Sequence, residues 1–206
     1  MRVRVKFCGM TRREDIDCAE ELGAEAVGLV FVPGTPRCLE VSRARELLRG
    51  LPPLLARVGV FADEDPMRVR RVREDLGLTA VQLHGSESPG NCAAVGGVRI
   101  KTFRVREDWD AAVLAAYDCE ACLLEAPIRA SLGGGGVAFE WQKIRGGVAT
   151  RRIILAGGLT PENVSRAIEL TRPYAVDVSS GIESSVGVKD PDKMKAFMES
   201  VKGCQA

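Results

Sequence analysis

Apolar residues along this chain fall into short β-branched runs, and between the runs apolar positions recur every three or four residues, the spacing of a helix face. Strands are predicted at about Val3–Cys8, Ala26–Phe31, Ala56–Phe61, Ala80–Leu83, Arg99–Phe103, Ala121–Leu124, Ile153–Ala156 and Ala175–Val178. Amphipathic helices are predicted at Arg12–Leu22, Ser42–Leu48, Pro66–Leu76, Pro161–Leu170 and Pro191–Val201, with a short, poorly patterned one around Phe139–Ile144. Caps or early prolines mark several helix starts: Thr11, Ser42, Asp65-Pro66, Thr160-Pro161 and Asp190-Pro191. Strands that alternate with helices along the whole chain imply a parallel sheet. A doubly wound open sheet normally carries a G-x-G-x-x-G turn after its first strand, and Cys8-Gly9-Met10-Thr11 is not one. Eight strand–helix units use all 206 residues, so the fold expected is a single-domain (β/α)8 TIM barrel spanning residues 1–206.

In such a barrel the chemistry sits at the carboxyl ends of the strands. Read in order, those ends supply Cys8, the Phe31–Arg37 loop, Phe61, His84, Arg104, Glu125, Gly157-Gly158 and Ser179-Ser180-Gly181. The last two strands each stop at small residues where a helix should begin. Small residues there let backbone N–H groups approach an anion, which is how the last two loops of a barrel build a phosphate site.

Charge narrows the ligand. Lys plus Arg total 29 against 28 Asp plus Glu, a balance that does not indicate a surface tracking nucleic acid. The anion expected is small. No apolar run reaches membrane-spanning length and Met1-Arg2-Val3-Arg4 does not lead into a signal-peptide core, so no membrane partner and a cytoplasmic location are expected. Seven cysteines, an odd number spread over the chain, fit a reducing compartment better than a disulfide framework. Cys119 and Cys122 run into a predicted strand; residues i and i+3 of a strand point to opposite faces, so their sulfurs are expected apart and unable to share a metal. No metal site is expected. His84, the one histidine, reads as pocket lining or a structural imidazole, and Trp109 and Trp141 as packing.

Lys6-Phe7-Cys8-Gly9-Met10-Thr11 resembles the K-x-C-G-x-T motif of the phosphoribosylanthranilate isomerase family. The resemblance continues through Pro33-Gly34-Thr35-Pro36-Arg37, Val58-Gly59-Val60-Phe61, Val81-Gln82-Leu83-His84-Gly85, Leu155-Ala156-Gly157-Gly158-Leu159, Pro161-Glu162-Asn163, Val176-Asp177-Val178-Ser179-Ser180-Gly181-Ile182-Glu183 and Gly187-Val188-Lys189-Asp190. It covers nearly the whole chain in the family's order. The resemblance implies an Amadori rearrangement in tryptophan biosynthesis that needs no cofactor. A general acid protonates the furanose oxygen, the ring opens to a Schiff base, and a general base removes the C2 proton.

By position, the resemblance makes Cys8 the base, with Lys6 or the substrate's iminium favouring its thiolate. It makes Arg37 the fork for the anthranilate carboxylate, Gly157, Gly158, Ser180 and Gly181 the phosphate loops, and Asp177 an acidic residue near the substrate. The implied partner is a small phosphorylated substrate, and the assembly a monomer or homodimer.

The sixth strand departs from the family. Leu123-Leu124-Glu125 stands where the family reads L-L-D, so a glutamate occupies the general-acid position, and Gly133–Gly136 replaces a G-G-T-G loop. Three readings stay open: a loop reset so that Glu125 reaches the ring oxygen, a weakened activity, or an altered substrate. A phosphosugar-binding barrel with weak, altered or lost isomerase activity is the alternative.

Overall fold

The computed structural model describes residues 2–106, 108–125 and 151–204. The predicted helix at Phe139–Ile144, Trp141 and the Gly133–Gly136 run lie outside them. Eight parallel strands close into one barrel in chain order: β1 (Arg4–Phe7), β2 (Ala26–Val30), β3 (Ala56–Phe61), β4 (Ala80–Leu83), β5 (Arg99–Arg104), β6 (Ala121–Glu125), β7 (Ile153–Ala156) and β8 (Ala175–Val178). The first strand meets the last, with Lys6 opposite Asp177 and Phe7 opposite Val178. The expected (β/α)8 barrel is therefore the fold.

Alternation along each strand sorts side chains into two compartments. One face points outward into the large apolar layer under the helices: Phe7, Val81, Leu83, Cys122, Leu124, Leu155 and Val176 belong to it. The other points into the barrel, where Val58, Ala80, Ile100, Ala121, Leu123, Ile154, Ala156 and Ala175 form a second, smaller core. Polar residues at inward positions, Lys6, Gln82, Thr102 and Asp177, are all buried. An apolar core would not tolerate them unpaired, so each is a candidate for work at the site above.

Outside the barrel lie α1 (Arg13–Glu21), α2 (Val41–Leu48), α3 (Pro66–Leu76), α4 (Pro89–Val95) and the helices Val164–Thr171 and Pro191–Gly203. Between β5 and β6 the return is a 3₁₀ helix, Ala111–Ala116. Two predicted caps form as expected: Asp65 accepts from the N–H groups of Met67 and Arg68, and Asp190 from those of Asp192 and Lys193. Three others differ. Thr11 donates to the Gly187 carbonyl and leaves Arg12 to precede α1, Ser42 lies inside α2, and Asn163 rather than Thr160 precedes its helix. The Asn163 side chain instead ties the turn, accepting from Thr160 N–H and donating to the Gly158 carbonyl.

The cysteine pair also differs from expectation. The strand begins only at Ala121, and the chain bends at Glu120 just before it. That bend brings the Cys119 and Cys122 sulfurs to 3.8 Å instead of placing them on opposite faces. Among the described residues, no group of three or more His, Cys, Asp or Glu side chains could hold a metal ion, and no helix is long and apolar enough to cross a membrane.

Candidate active site

A cavity of about 500 Å³ opens at the carboxyl ends of the strands. All eight residues singled out from the sequence, Cys8, Arg37, Glu125, Gly157, Gly158, Asp177, Ser180 and Gly181, line it, together with Gln82, His84 and Arg104. Cys8, one residue past β1, and Glu125, the last residue of β6, come from strands three apart around the ring.

Around Cys8 the site is tightly packed. Lys6 Nζ lies 2.7 Å from Asp177 Oδ1 across the β1–β8 seam, both side chains almost wholly buried. Gly28 underlies them, because a Cβ there would approach Cys8 Sγ to 2.7 Å and Lys6 Nζ to 3.1 Å. Burial opposes the Lys6 charge, but the neighbouring Asp177 and Cys8 more than offset it and hold the ammonium above its ordinary range. For Cys8 the balance runs the other way: burial raises the thiol, Lys6 pulls it down, Asp177 pushes it up again, and the net shift is upward. The expectation that Lys6 would favour the thiolate is thus correct in sign and outweighed in size.

Arg37 is already committed along one edge. Its Nε donates to Glu183 Oε1 at 2.7 Å and its Nη2 to Glu183 Oε2 at 2.5 Å. Glu183 is held in turn by the buried Lys189, whose Nζ reaches Oε1 at 2.9 Å and the Ser179 carbonyl at 3.1 Å. The guanidinium lies over Gly9, where φ is +74° and a Cβ would come within 2.5 Å of Arg37 Cδ. Glu183 and Lys189 were not recognised as site residues from the sequence. They lie after β8 and meet Arg37 only through the closed fold.

At Glu125, β4, β5 and β6 converge on one oxygen. Arg104 Nε lies 3.3 Å from Oε2, and His84 Nε2 lies 3.8 Å from the same atom. His84 is fixed from behind, its Nδ1 accepting from the Gln82 amide at 3.0 Å and from the Thr102 hydroxyl at 3.2 Å. Those contacts put the ring proton on Nε2, facing Glu125. Burial, only partly opposed by Glu125, lowers His84 below its ordinary value, so the ring is neutral near pH 7.

The two glycine loops have steric reasons. Gly157 and Gly158 have φ of +97° and +49°, the left-handed region that favours glycine. At Gly181 a Cβ would run into the Leu159 carbonyl, so the turn after β8 can lie against the loop after β7 only without a side chain.

A closed parallel barrel with its polar cavity at the carboxyl ends of the strands, and glycine loops after the last two, is the architecture of a (β/α)8-barrel enzyme. More narrowly, the chain belongs to the phosphoribosylanthranilate isomerase family. The family model described as N-(5'phosphoribosyl)anthranilate (PRA) isomerase matches residues 5–200. The N-(5'-phosphoribosyl)anthranilate isomerase of Nitrosococcus oceani is 44% identical over 203 residues, covering 98% of each chain. Among solved structures, phosphoribosyl anthranilate isomerase from Thermotoga maritima is 40% identical with a TM-score of 0.87, over 98% of this chain and 99% of that one. A phosphoribosyl anthranilate isomerase in complex with reduced 1-(o-carboxyphenylamino)-1-deoxyribulose 5-phosphate is 39% identical with a TM-score of 0.85, over the same shares.

Proposed function

We propose that the chain converts N-(5-phosphoribosyl)anthranilate to 1-(2-carboxyphenylamino)-1-deoxyribulose 5-phosphate in tryptophan biosynthesis, with Glu125 as general acid and Cys8 as general base. One observation carries this reading: the acid and base candidates face a single cavity that also holds Arg37 and both glycine loops. Glu125 protonates the furanose oxygen, and the ring opens to a cationic Schiff base. Cys8, with Lys6 beside it, takes the C2 proton, and the resulting enolamine tautomerises to the ketose.

The iminium supplies what the free site lacks. Cys8 is raised by burial, and a cation on the substrate offsets that burial just when the base is needed. Arg37, with Nε and Nη2 spent on Glu183, presents its remaining donor edge to the anthranilate carboxylate, a narrower role than a free fork. Asp177 keeps Lys6 charged beside Cys8. Gly157, Gly158, Ser180 and Gly181 take the phosphate. The ligand is a small phosphorylated compound, and the assembly a monomer or homodimer.

His84 and Arg104 bear on the acid's extra methylene. Arg104 donates to Oε2, with His84 Nε2 further off at 3.8 Å, and Oε1 is left for the substrate, which supports the reading in which the site is adapted to glutamate. Turnover of freshly made phosphoribosylanthranilate, followed by loss of anthranilate fluorescence, tests the proposal. Robust turnover in the wild type, abolished in Glu125→Ala and Cys8→Ala, is expected. A wild type that binds the reduced product analogue without turnover would instead make this a phosphosugar-binding barrel.

A further inference from the structure

Cys119 and Cys122 are not used by the reaction, yet they meet with more precision than unrelated thiols need. The bend that joins them is pinned at Glu120, whose N–H donates to the Arg99 carbonyl at 3.0 Å while its carboxylate accepts from Arg99 N–H at 2.6 Å and Arg99 Nη2 at 3.1 Å. Arg151 closes the other side, donating from Nη1 to the Cys119 carbonyl and from Nη2 to the Leu114 carbonyl, each at 3.3 Å. Both sulfurs lie in the apolar layer outside the barrel, 3.8 Å apart. A disulfide needs a further approach of only roughly 1.8 Å.

We propose that Cys119 and Cys122 form an oxidisable dithiol site at which a hydroperoxide converts the two thiols to an intramolecular disulfide. Cys119 is the attacking sulfur. A hydrogen bond from the Cys122 thiol, with Arg151 nearby, outweighs burial and brings Cys119 down to about 7. Cys122, hydrogen-bonded to its partner and buried, is pushed up, and burial raises Cys92 to about 11. Cys119 is also the more reachable of the pair, 7% exposed against 0% for Cys122. That opening suits a peroxide better than a bulky disulfide.

The Cys119 thiolate attacks one peroxide oxygen, the O–O bond breaks, and hydroxide leaves, taking up the proton that Cys119 had released to become water. The product is a sulfenic acid on Cys119. The Cys122 sulfur then attacks Cys119 Sγ, the S–O bond breaks, and the hydroxyl leaves as water with the Cys122 proton. Two thiols and one hydrogen peroxide become one disulfide and two waters; an organic hydroperoxide gives an alcohol in place of the first water.

The site is independent of the proposed rearrangement and is tested without it. Cleavage after Arg106 and Arg129 yields one tryptic peptide that contains both cysteines and no others. The full chain is treated with hydrogen peroxide near neutral pH, blocked with N-ethylmaleimide, digested and weighed. The peptide is expected to lose two hydrogen masses, take up no maleimide, and recover two alkylatable thiols after dithiothreitol. In Cys122→Ser, dimedone should trap a sulfenic acid on Cys119. Recovery of the wild-type peptide with both thiols alkylated, at a peroxide dose that oxidises Cys18 or Cys38, overturns the proposal. So does a peptide carried to sulfinic or sulfonic acid without a disulfide.

Discussion

A single thiol and a single carboxylate set the terms at the residue scale, and neighbours tune each of them. Cys8 is raised mainly by burial, and Lys6 is the largest influence lowering it. Alkylation of Cys8 by iodoacetamide, mapped by mass spectrometry, should therefore speed up with pH through a midpoint above that of an ordinary thiol. Lys6→Met should move the midpoint higher still, since it removes a cation and leaves Asp177 unopposed; a downward move would show that Lys6 does not lower it.

Glu125 offers an atom-level test of the His84 contact. A glutamine amide nitrogen can stand where His84 Nε2 does, whereas the shorter asparagine reaches only the Nδ1 position. His84→Gln should keep kcat within about threefold, and His84→Asn should lower it by roughly tenfold or more with KM little changed, as expected for loss of a polar contact that orients the acid. Equal losses in the two variants would mean that the ring matters only as packing.

Among elements, what was legible in the sequence was whatever depends on near neighbours. Asp65-Pro66 and Asp190-Pro191 cap helices because an aspartate and the next N–H groups need nothing from elsewhere. Asp65→Ala should accordingly cost about 1 kcal/mol in urea unfolding, with no change in kcat/KM. Thr11 was misread because its hydroxyl has a better acceptor, the Gly187 carbonyl, far along the chain. The cysteine pair was misread for a local reason: strand geometry was extended two residues too early, across the bend at Glu120. Strand-end position made Cys8, Glu125 and the glycine loops candidates, and the family resemblance singled out Arg37. Glu183 and Lys189 stayed hidden because their roles exist only once the segment after β8 folds back over Arg37.

Across the whole molecule, the barrel closes where β1 meets β8, and the Lys6–Asp177 pair crosses that seam. Removing one member of a buried pair strands the other. Asp177→Asn should lower unfolding stability by about 3 to 5 kcal/mol, whereas the double replacement Lys6→Met with Asp177→Leu should recover most of that loss while turnover stays abolished. If the double variant were no more stable than the single one, the ion pair would be supporting the barrel rather than serving the site.

The seam also sets an order of events during synthesis. Asp177 follows Lys6 by 171 positions, while Phe7 on the outer face of β1 packs edge-on against Phe197 of the helix Pro191–Gly203. Until the ribosome has made β8 and that helix, the ammonium that accompanies Cys8 has no counter-charge and the first strand lacks both its closing neighbour and its outer cover. A nascent chain therefore cannot present a working half-site. The proposed base gains its paired ammonium in the same step that shuts the ring, and any truncation upstream of β8 leaves the chain without a closed barrel.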